Sequence, residues 1–388
     1  MLRRTPMDFT LTDEQRMFQK MFAEFALKEV QPLAEHIDRQ EEIPASLFQK
    51  AAEQGFLAAL IPEEKGGAGL DFVSYCLLLE ELAAASMSFA IAVNVHNVLA
   101  VYPLLTFGTD GQKARYLNAL AFGECLGAFA LTEAGAGTDA GALATRATRD
   151  GDGYLLRGSK HWVTNGALAG LFVVFARTEE GISAFLVDRD APGLKVGYRE
   201  KTLGLRGLTC NTLYLDGCRV PAENLLGEAG KGMRVAGRTL DVTRVALGAI
   251  SLGGARAALE AGVQCSIEHE QFGGPIALKQ IIQKYVADAA TEVEAMRCLV
   301  YRAAWLVDQG QLDTYTASVV KLFASTAAFR IANSMLQVHG GYGYMKEYAI
   351  ERMYRDFRAL EIIEGTSQIQ RFLIARKIYK DRKLEIQP

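Results

Sequence analysis

Glu364 is the residue in this chain whose setting best suits proton chemistry. It lies in the run Glu361-Ile362-Ile363-Glu364-Gly365-Thr366-Ser367-Gln368-Ile369-Gln370-Arg371. Ser367 followed three residues later by Gln370 reads as a capping box, which predicts a helix beginning at Ser367. Gly365 just ahead of it lets the backbone turn sharply or a ligand come close. Glu364 is therefore expected on a tight turn, behind two isoleucines. A carboxylate held among apolar neighbours and out of water has its pKa raised, which suits a general base. Taken alone, the same residues also fit a surface glutamate in a helix-entry turn.

Four further stretches carry groups of chemical interest. Ala130-Leu131-Thr132-Glu133-Ala134-Gly135-Ala136-Gly137-Thr138-Asp139 is a loop of small residues with two hydroxyls, able to present backbone N–H groups to a phosphate or a cofactor edge, or simply to enter a barrel. Its glycines do not fit the GxGxxG pattern, and strand signals follow where a dinucleotide fold needs a helix. Lys160-His161-Trp162-Val163-Thr164-Asn165 offers an indole that could shield a flat ring and a hydroxyl that could donate to it, or a core tryptophan. Asp241 and Arg244 are three apart on a helix, an ordinary ion-pair spacing. Gln337-Val338-His339-Gly340-Gly341-Tyr342-Gly343 is a helix end whose glycines permit close backbone approach.

Stepping outward, the chain has 388 residues, half of them hydrophobic, enough for a large core and two or three domains. The net charge of −3 gives no electrostatic footprint for nucleic acid. No apolar run reads as a membrane span. The first six residues hold two arginines but no apolar h-region, so no secretory signal is expected; Met7 is a possible alternative start. The six cysteines form no CxxC pair and no zinc spacing with histidine, so free thiols in a reducing compartment are expected, and no metal site.

Helical patterns fill the first third. A capping box at Thr12/Gln15 opens one over residues 13–30, ahead of Pro32, and Pro44 opens another that stops near Gly55. Others cover residues 71–85, 88–107 and 110–121. After Cys125 the turn signals crowd, as at Asp150-Gly151-Asp152-Gly153 and Asn165-Gly166. Strand-like runs lie between them at 154–157, 171–176, 183–187 and 212–215. From about residue 230 long helical patterns return, over 231–266, 275–307 and 313–338, with the last closed by Gly340-Gly341. With the helix from Ser367 these make four, hence a bundle. The predicted architecture is mainly α: an all-α domain (1–124), a central β-barrel domain (125–230) and a C-terminal four-helix bundle (231–388).

These motifs together resemble the acyl-CoA dehydrogenase family from about Phe9 to Arg382. Ile363-Glu364-Gly365-Thr366-Ser367-Gln368 is similar to the segment that carries the family's catalytic glutamate. The resemblance implies FAD as cofactor, an acyl-CoA as substrate and an electron-transferring flavoprotein as acceptor. It implies that Glu364 removes the α-proton while the β-hydrogen leaves as hydride to the flavin, giving a trans-2-enoyl-CoA. By resemblance, Phe129, Thr132, Thr138, Trp162 and Thr164 border the flavin, and Thr366 and Gln368 join them. Thr138, Asp241, Arg244 and Gly365 meet the substrate. Thr243 stands where some relatives carry their base.

His269-Glu270-Gln271-Phe272-Gly273-Gly274-Pro275 resembles the family's Arg-x-Gln-Phe-Gly-x-Pro, with His269 in place of the arginine. An arginine binds a pyrophosphate bidentately and is always charged, whereas a neutral histidine offers one donor. Phe272, Gln280, Gln337, Gly340 and Gly341 match the family's cross-subunit flavin contacts, which implies a homo-oligomer, usually a tetramer. The expected location is the cytoplasm of a bacterium or the mitochondrial matrix. The spacing leans toward short- and medium-chain or branched-chain members. Two other readings accompany this one: an acyl-CoA oxidase or enoyl-CoA reductase on the same fold, separable by choice of acceptor, and a non-catalytic helical scaffold, which would purify colourless.

Overall fold

The computed structural model describes residues 10–387; the reading of the first six residues and Met7 lies outside them. Thr12 caps α1 (Asp13–Phe25), its hydroxyl accepting from Gln15 N while Gln15 returns a bond to Thr12 N, both 3.1 Å. Pro32 does not end the helical path. It falls at the start of a new tight segment, Gln31–Leu33, where its missing N–H costs nothing, and the chain winds on into α2 (Ala34–Gln40). Then come α3 (Ala45–Glu53), α4 (Phe72–Ala85), α5 (Met87–Asn94), α6 (Tyr102–Phe107) and α7 (Asp110–Ala121). Ser86 and Thr109 cap α5 and α7 with their hydroxyls.

The middle of the chain is one sheet of eight strands: β1 (Leu126–Ala130), β2 (Arg146–Asp150), β3 (Gly153–Thr164), β4 (Ala169–Thr178), β5 (Gly181–Asp188), β6 (Leu194–Arg199), β7 (Cys210–Pro221) and β8 (Leu225–Leu226). The order is β6-β7-β3-β2-β4-β5-β8, with β1 added in parallel to β4. The rings of Tyr154 on β3 and Phe185 on β5 meet at 5.0 Å although β2 and β4 stand between them in the order. The sheet therefore curls around its own apolar face, barrel-like, while β6 and β8 remain as its two ends. The second leaf of the core packs on α6 and α7.

The C-terminal part holds α8 (Gly232–Glu268), α9 (Gln280–Asp308), α10 (Thr314–His339), α11 (Ala349–Leu360) and α12 (Ser367–Lys380). α8, α9 and α10 pack on one another, α12 lies on α10, and α11 bridges α8 and α10. The four expected helices are present, and α11 is a fifth, burying Ile350, Phe357 and Leu360 on one face. A single core joins α4 and α5 to this bundle.

Two helical stretches overturn the expectation that no run is long and apolar enough to cross a membrane. Met87–Phe107 and Gly232–Glu268 pass that test by length and composition, with mean hydropathy 1.5 and 1.2. In each, 83% of the most apolar window is buried inside the protein, so they are apolar because they are core helices.

Gly253 marks how closely α8 approaches α4. A methyl group there would overlap the Glu80 carbonyl oxygen, part of rigid helix backbone. Gly253→Ala is expected to cost about 1–3 kcal/mol by forcing the helices apart, measured as a lower midpoint in urea unfolding. Retention of the wild-type midpoint would show that α4 can shift freely. The six cysteines are unpaired.

Candidate active site

Glu364 sits in the link between α11 and α12. Ile362 and Ile363 donate back to Ala359 O at 2.9 and 3.0 Å, and Ser367 N donates to Glu361 O at 2.9 Å, closing a tight loop. Within it Glu364 has φ 56° and Gly365 φ 94°, two successive residues in the left-handed region. For glutamate that conformation carries strain of roughly 1–3 kcal/mol, which the surroundings must hold in place. The helix that follows starts at Ser367 as expected, but its cap is one residue earlier. Thr366, with extended backbone, accepts from Ile369 N, and Ser367 is the first helical residue, its hydroxyl turned to Glu361 O.

Three helices grip the turn through its carbonyls. Arg244 Nε on α8 and Gln370 Nε2 on α12 each donate to Glu364 O at 3.4 Å. Gln370 Nε2 and Lys321 Nζ on α10 donate to Gly365 O at 3.1 and 2.6 Å. Asp241 and Arg244 are not a helix-surface pair. Both are buried, joined at 3.0 Å, and Asp241 also accepts from the Thr314 hydroxyl at 2.7 Å. Burial raises the Asp241 pKa against the hydrogen bond from Thr314 and the charge of Arg244.

The Glu364 side chain is half-buried, and its Oε2 has neither exposed surface nor a hydrogen-bond partner. Burial lifts its pKa to about 7, outweighing the Thr243 hydroxyl and the charges of Lys321 and Arg244, which pull it down. Behind it runs a buried polar string: Asn94 Nδ2 donates to the Thr243 hydroxyl at 3.0 Å, and the Tyr75 hydroxyl donates to Asn94 Oδ1 at 3.4 Å. An ionisable carboxyl near neutrality, with one oxygen left unpartnered, is equipped to take a proton from something that enters.

The residues expected around a flavin fall into two further groups. In the β domain, His161 N donates to Thr132 O at 2.9 Å, which sets the small-residue loop beside Trp162. Glu133 ties that loop shut, accepting from Ala144 N (2.6 Å), Thr145 N (3.0 Å) and the fully buried Lys160 ammonium (2.7 Å). Trp162 lies at a bulge in β3, with φ 57° and 54% of its surface exposed, so it is no core tryptophan. Phe129 and Thr164 are half-buried nearby elements of β1 and β3, and Thr138 is exposed. Thr366 is half-buried and Gln368 exposed at the start of α12.

The second group is remote. His269, His339, Gly340, Gly341 and Tyr342 line a cleft of about 350 Å³ at the far ends of α8 and α10. Phe272 is 93% exposed on the adjoining turn, and Gln280 and Gln337 are exposed at the neighbouring helix ends. His269 follows Arg244 by roughly 25 residues of continuous helix, about 37 Å at the α-helical rise. The structure thus gathers Glu364, Gly365, Asp241 and Arg244 into one site, and separates them from the His269 cleft within the same chain.

Three family models, for the N-terminal, middle and C-terminal domains of acyl-CoA dehydrogenase, match residues 12–124, 128–218 and 230–379. The chain belongs to the acyl-CoA dehydrogenase family. An acyl-CoA dehydrogenase of Bacillus subtilis (strain 168) is 43% identical over 371 residues, 94% of this chain and 98% of that protein. An acryloyl-CoA reductase (NADH) of Anaerotignum propionicum is also 43% identical, over 96% of each chain. Among solved structures, an acyl-CoA dehydrogenase complexed with FAD from Bacillus anthracis superposes with a TM-score of 0.91 at 36% identity, covering 96% of this chain and 68% of that one.

Sequence reading missed Lys321, Gln370 and the Tyr75–Asn94–Thr243 string around the Glu364 turn. A signal for Lys321 was present: it stands among Ala317, Ser318, Val320, Ala324 and Ser325, a lysine inside an otherwise small and apolar helix stripe.

Proposed function

We propose that this protein is an FAD-dependent enzyme that oxidises a saturated acyl-CoA thioester at its α and β carbons, with Glu364 as the base. The observation that carries the reading is the Glu364 carboxyl: on a strained turn, half-buried and unpartnered at Oε2, where burial pushes its pKa up to about 7. A group of that pKa is ionised enough at neutral pH to accept a proton, and basic enough to pull one from a weak carbon acid. The three carbonyl grips from α8, α10 and α12 keep it at one height while it does so.

The residues present fit a flat aromatic cofactor. An exposed indole on a strained bulge, beside a loop rich in glycine and hydroxyls, is a costly surface unless a ring covers it. Phe129, Thr132, Thr138, Trp162 and Thr164 would hold the ring end, with Thr366 and Gln368 beside it. When bound, FAD supplies the acceptor for the β-hydrogen as hydride. Asp241 and Arg244 act from inside, fixing the turn, while Gly365 and Thr138 face the thioester.

His269, Phe272, Gln280, Gln337, Gly340 and Gly341 serve the FAD of a neighbouring copy. The support is the separation of about 37 Å along α8, longer than an extended dinucleotide, together with exposed Phe272, Tyr342, Tyr344 and Met345 around the cleft. The assembly is therefore a homo-oligomer, a dimer of dimers by resemblance, and an electron-transferring flavoprotein is the acceptor by the same resemblance.

Anaerobic titration of the yellow protein with a panel of acyl-CoAs tests the reading. Flavin absorbance is expected to bleach with short, medium or branched chains; no bleaching with any of them would sink it. The likeness to an acryloyl-CoA reductase favours a second reading, reduction of an enoyl thioester on the same residues. Turnover with NADH and an enoyl-CoA, and none with a flavoprotein acceptor, would select that one.

A further inference from the structure

The bundle buries a lysine that the reaction as described does not require. Lys321 on α10 is 0% exposed, and its ammonium makes one hydrogen bond among the described residues, to Gly365 O. Burying an ammonium on a single carbonyl is costly, and a nearby opposite charge is the usual compensation. The charged groups that face it are Glu364 and Glu361 on the turn, with Arg244 on α8 opposing. Glu364 in turn faces Lys321 from α10, Arg244 and Thr243 from α8, and Tyr75 from α4; Asp241 answers Arg244. Arg244 also acts on Glu364, but it shares its charge with Asp241 across a 3.0 Å pair. Lys321 has no such partner, so its charge acts on the turn.

We propose that Lys321 is a positioning residue for this site, holding the Glu364–Gly365 turn by the Gly365 carbonyl and setting, through its charge, the proton affinity of the Glu364 carboxyl. This rests on Glu364 being the base. The geometry separates its two actions. Gly365 O also accepts from the Gln370 amide at 3.1 Å, so truncating Lys321 does not orphan the carbonyl. The charge, by contrast, is lost with Lys321, and leaves Glu364 only Arg244, which is shared with Asp241. Burial brings the Lys321 pKa down to about 8, so it is still charged where Glu364 titrates.

Lys321→Met tests this, with Lys321→Arg as the charge-keeping control and Lys321→Gln in reserve should the methionine variant not fold. In single-turnover flavin reduction by acyl-CoA, the pH midpoint of Lys321→Met should move up by about one unit, the usual effect of losing a nearby opposite charge. Lys321→Arg should keep the wild-type midpoint. A role in packing alone would lower the rate or the melting temperature and leave the midpoint where it was, which would overturn the proposal. A second measurement does not depend on activity. A double-mutant cycle of Lys321→Met with Glu364→Gln on unfolding should show coupling between the two titrations, at about 7 and about 8, and lose it well below them. Absence of coupling there overturns the proposal even if acyl-CoA bleaches the flavin. Coupling without any bleaching by substrate would instead uphold the contact and refute the base.

Discussion

Glu364→Gln is expected to leave the protein yellow and nearly abolish flavin reduction by acyl-CoA, with a loss of about 10²–10⁴-fold or more, the usual range for removing a positioned base. Glutamine keeps the shape and the strained backbone, so the cofactor site is untouched; it cannot take a proton. Stopped-flow absorbance under anaerobic conditions reads the loss directly. The same variant should be more stable than wild type above neutral pH. The folded-state pKa of Glu364, about 7, lies above its ordinary value of 4.5. Below the ordinary value the carboxyl is neutral in both states and its contribution to stability is complete. As pH rises toward 7 the unfolded chain gives up the proton before the folded one does, and that stability is lost. Glutamine has no proton to lose, so its melting curve should not show this decline. Wild-type rates in the variant would move the chemistry to another residue.

Flavin reduction by a saturating acyl-CoA should climb with pH through a midpoint near 7. Only the ionised carboxylate accepts the α-proton, so each pH unit below the midpoint should cut the rate about tenfold. The sign follows from burial: desolvation favours the neutral acid and pushes the midpoint up, whereas Lys321, Arg244 and the Thr243 hydroxyl hold it from rising further. A rate that stayed flat from pH 5 to pH 8, with the fold intact, would show that the carboxylate is ionised at an ordinary pKa and that the pocket is wet.

Much of this frame was legible in the residues. The cap at Thr12 stands out because a hydroxyl and a glutamine three residues apart satisfy each other's backbone partners; the same device at Thr109 went unread. At the Glu364 turn two hydroxyls, Thr366 and Ser367, compete for one cap, and pattern alone does not say which backbone is extended. That is why the helix start was placed correctly and its cap was not. Strand β1 escaped notice because four of its five residues are buried and it shows no alternation. Strand β2 is mostly exposed and polar, and reads as loop. The run over α5 and α6 looked like one helix, and its lack of charged residues is what a fully buried element requires.

The turn bearing Glu364 was readable because Gly365 and the helix start bracket it. Its grip was not, because Arg244, Lys321 and Gln370 come from three helices and meet only in space. Periodicity reports which face of a helix is buried, and says nothing about which buried polar group finds which carbonyl. Asp241 and Arg244 show the limit plainly. Their spacing is that of any surface ion pair, and packing takes them out of water, with Thr314 of α10 on Asp241 and the Glu364 turn on Arg244.

α8 carries Arg244 near one end and His269 just past the other. If the His269 cleft serves the cofactor of an adjoining copy, injury to one polypeptide is not confined to it. A copy lacking its carboxylate still lends a sound cleft to its neighbour, and a copy with a ruined cleft still offers a sound carboxylate. Two defective alleles expressed together would then rescue one another in mixed assemblies, and inheritance of partial defects in such a protein would not follow a simple count of good genes.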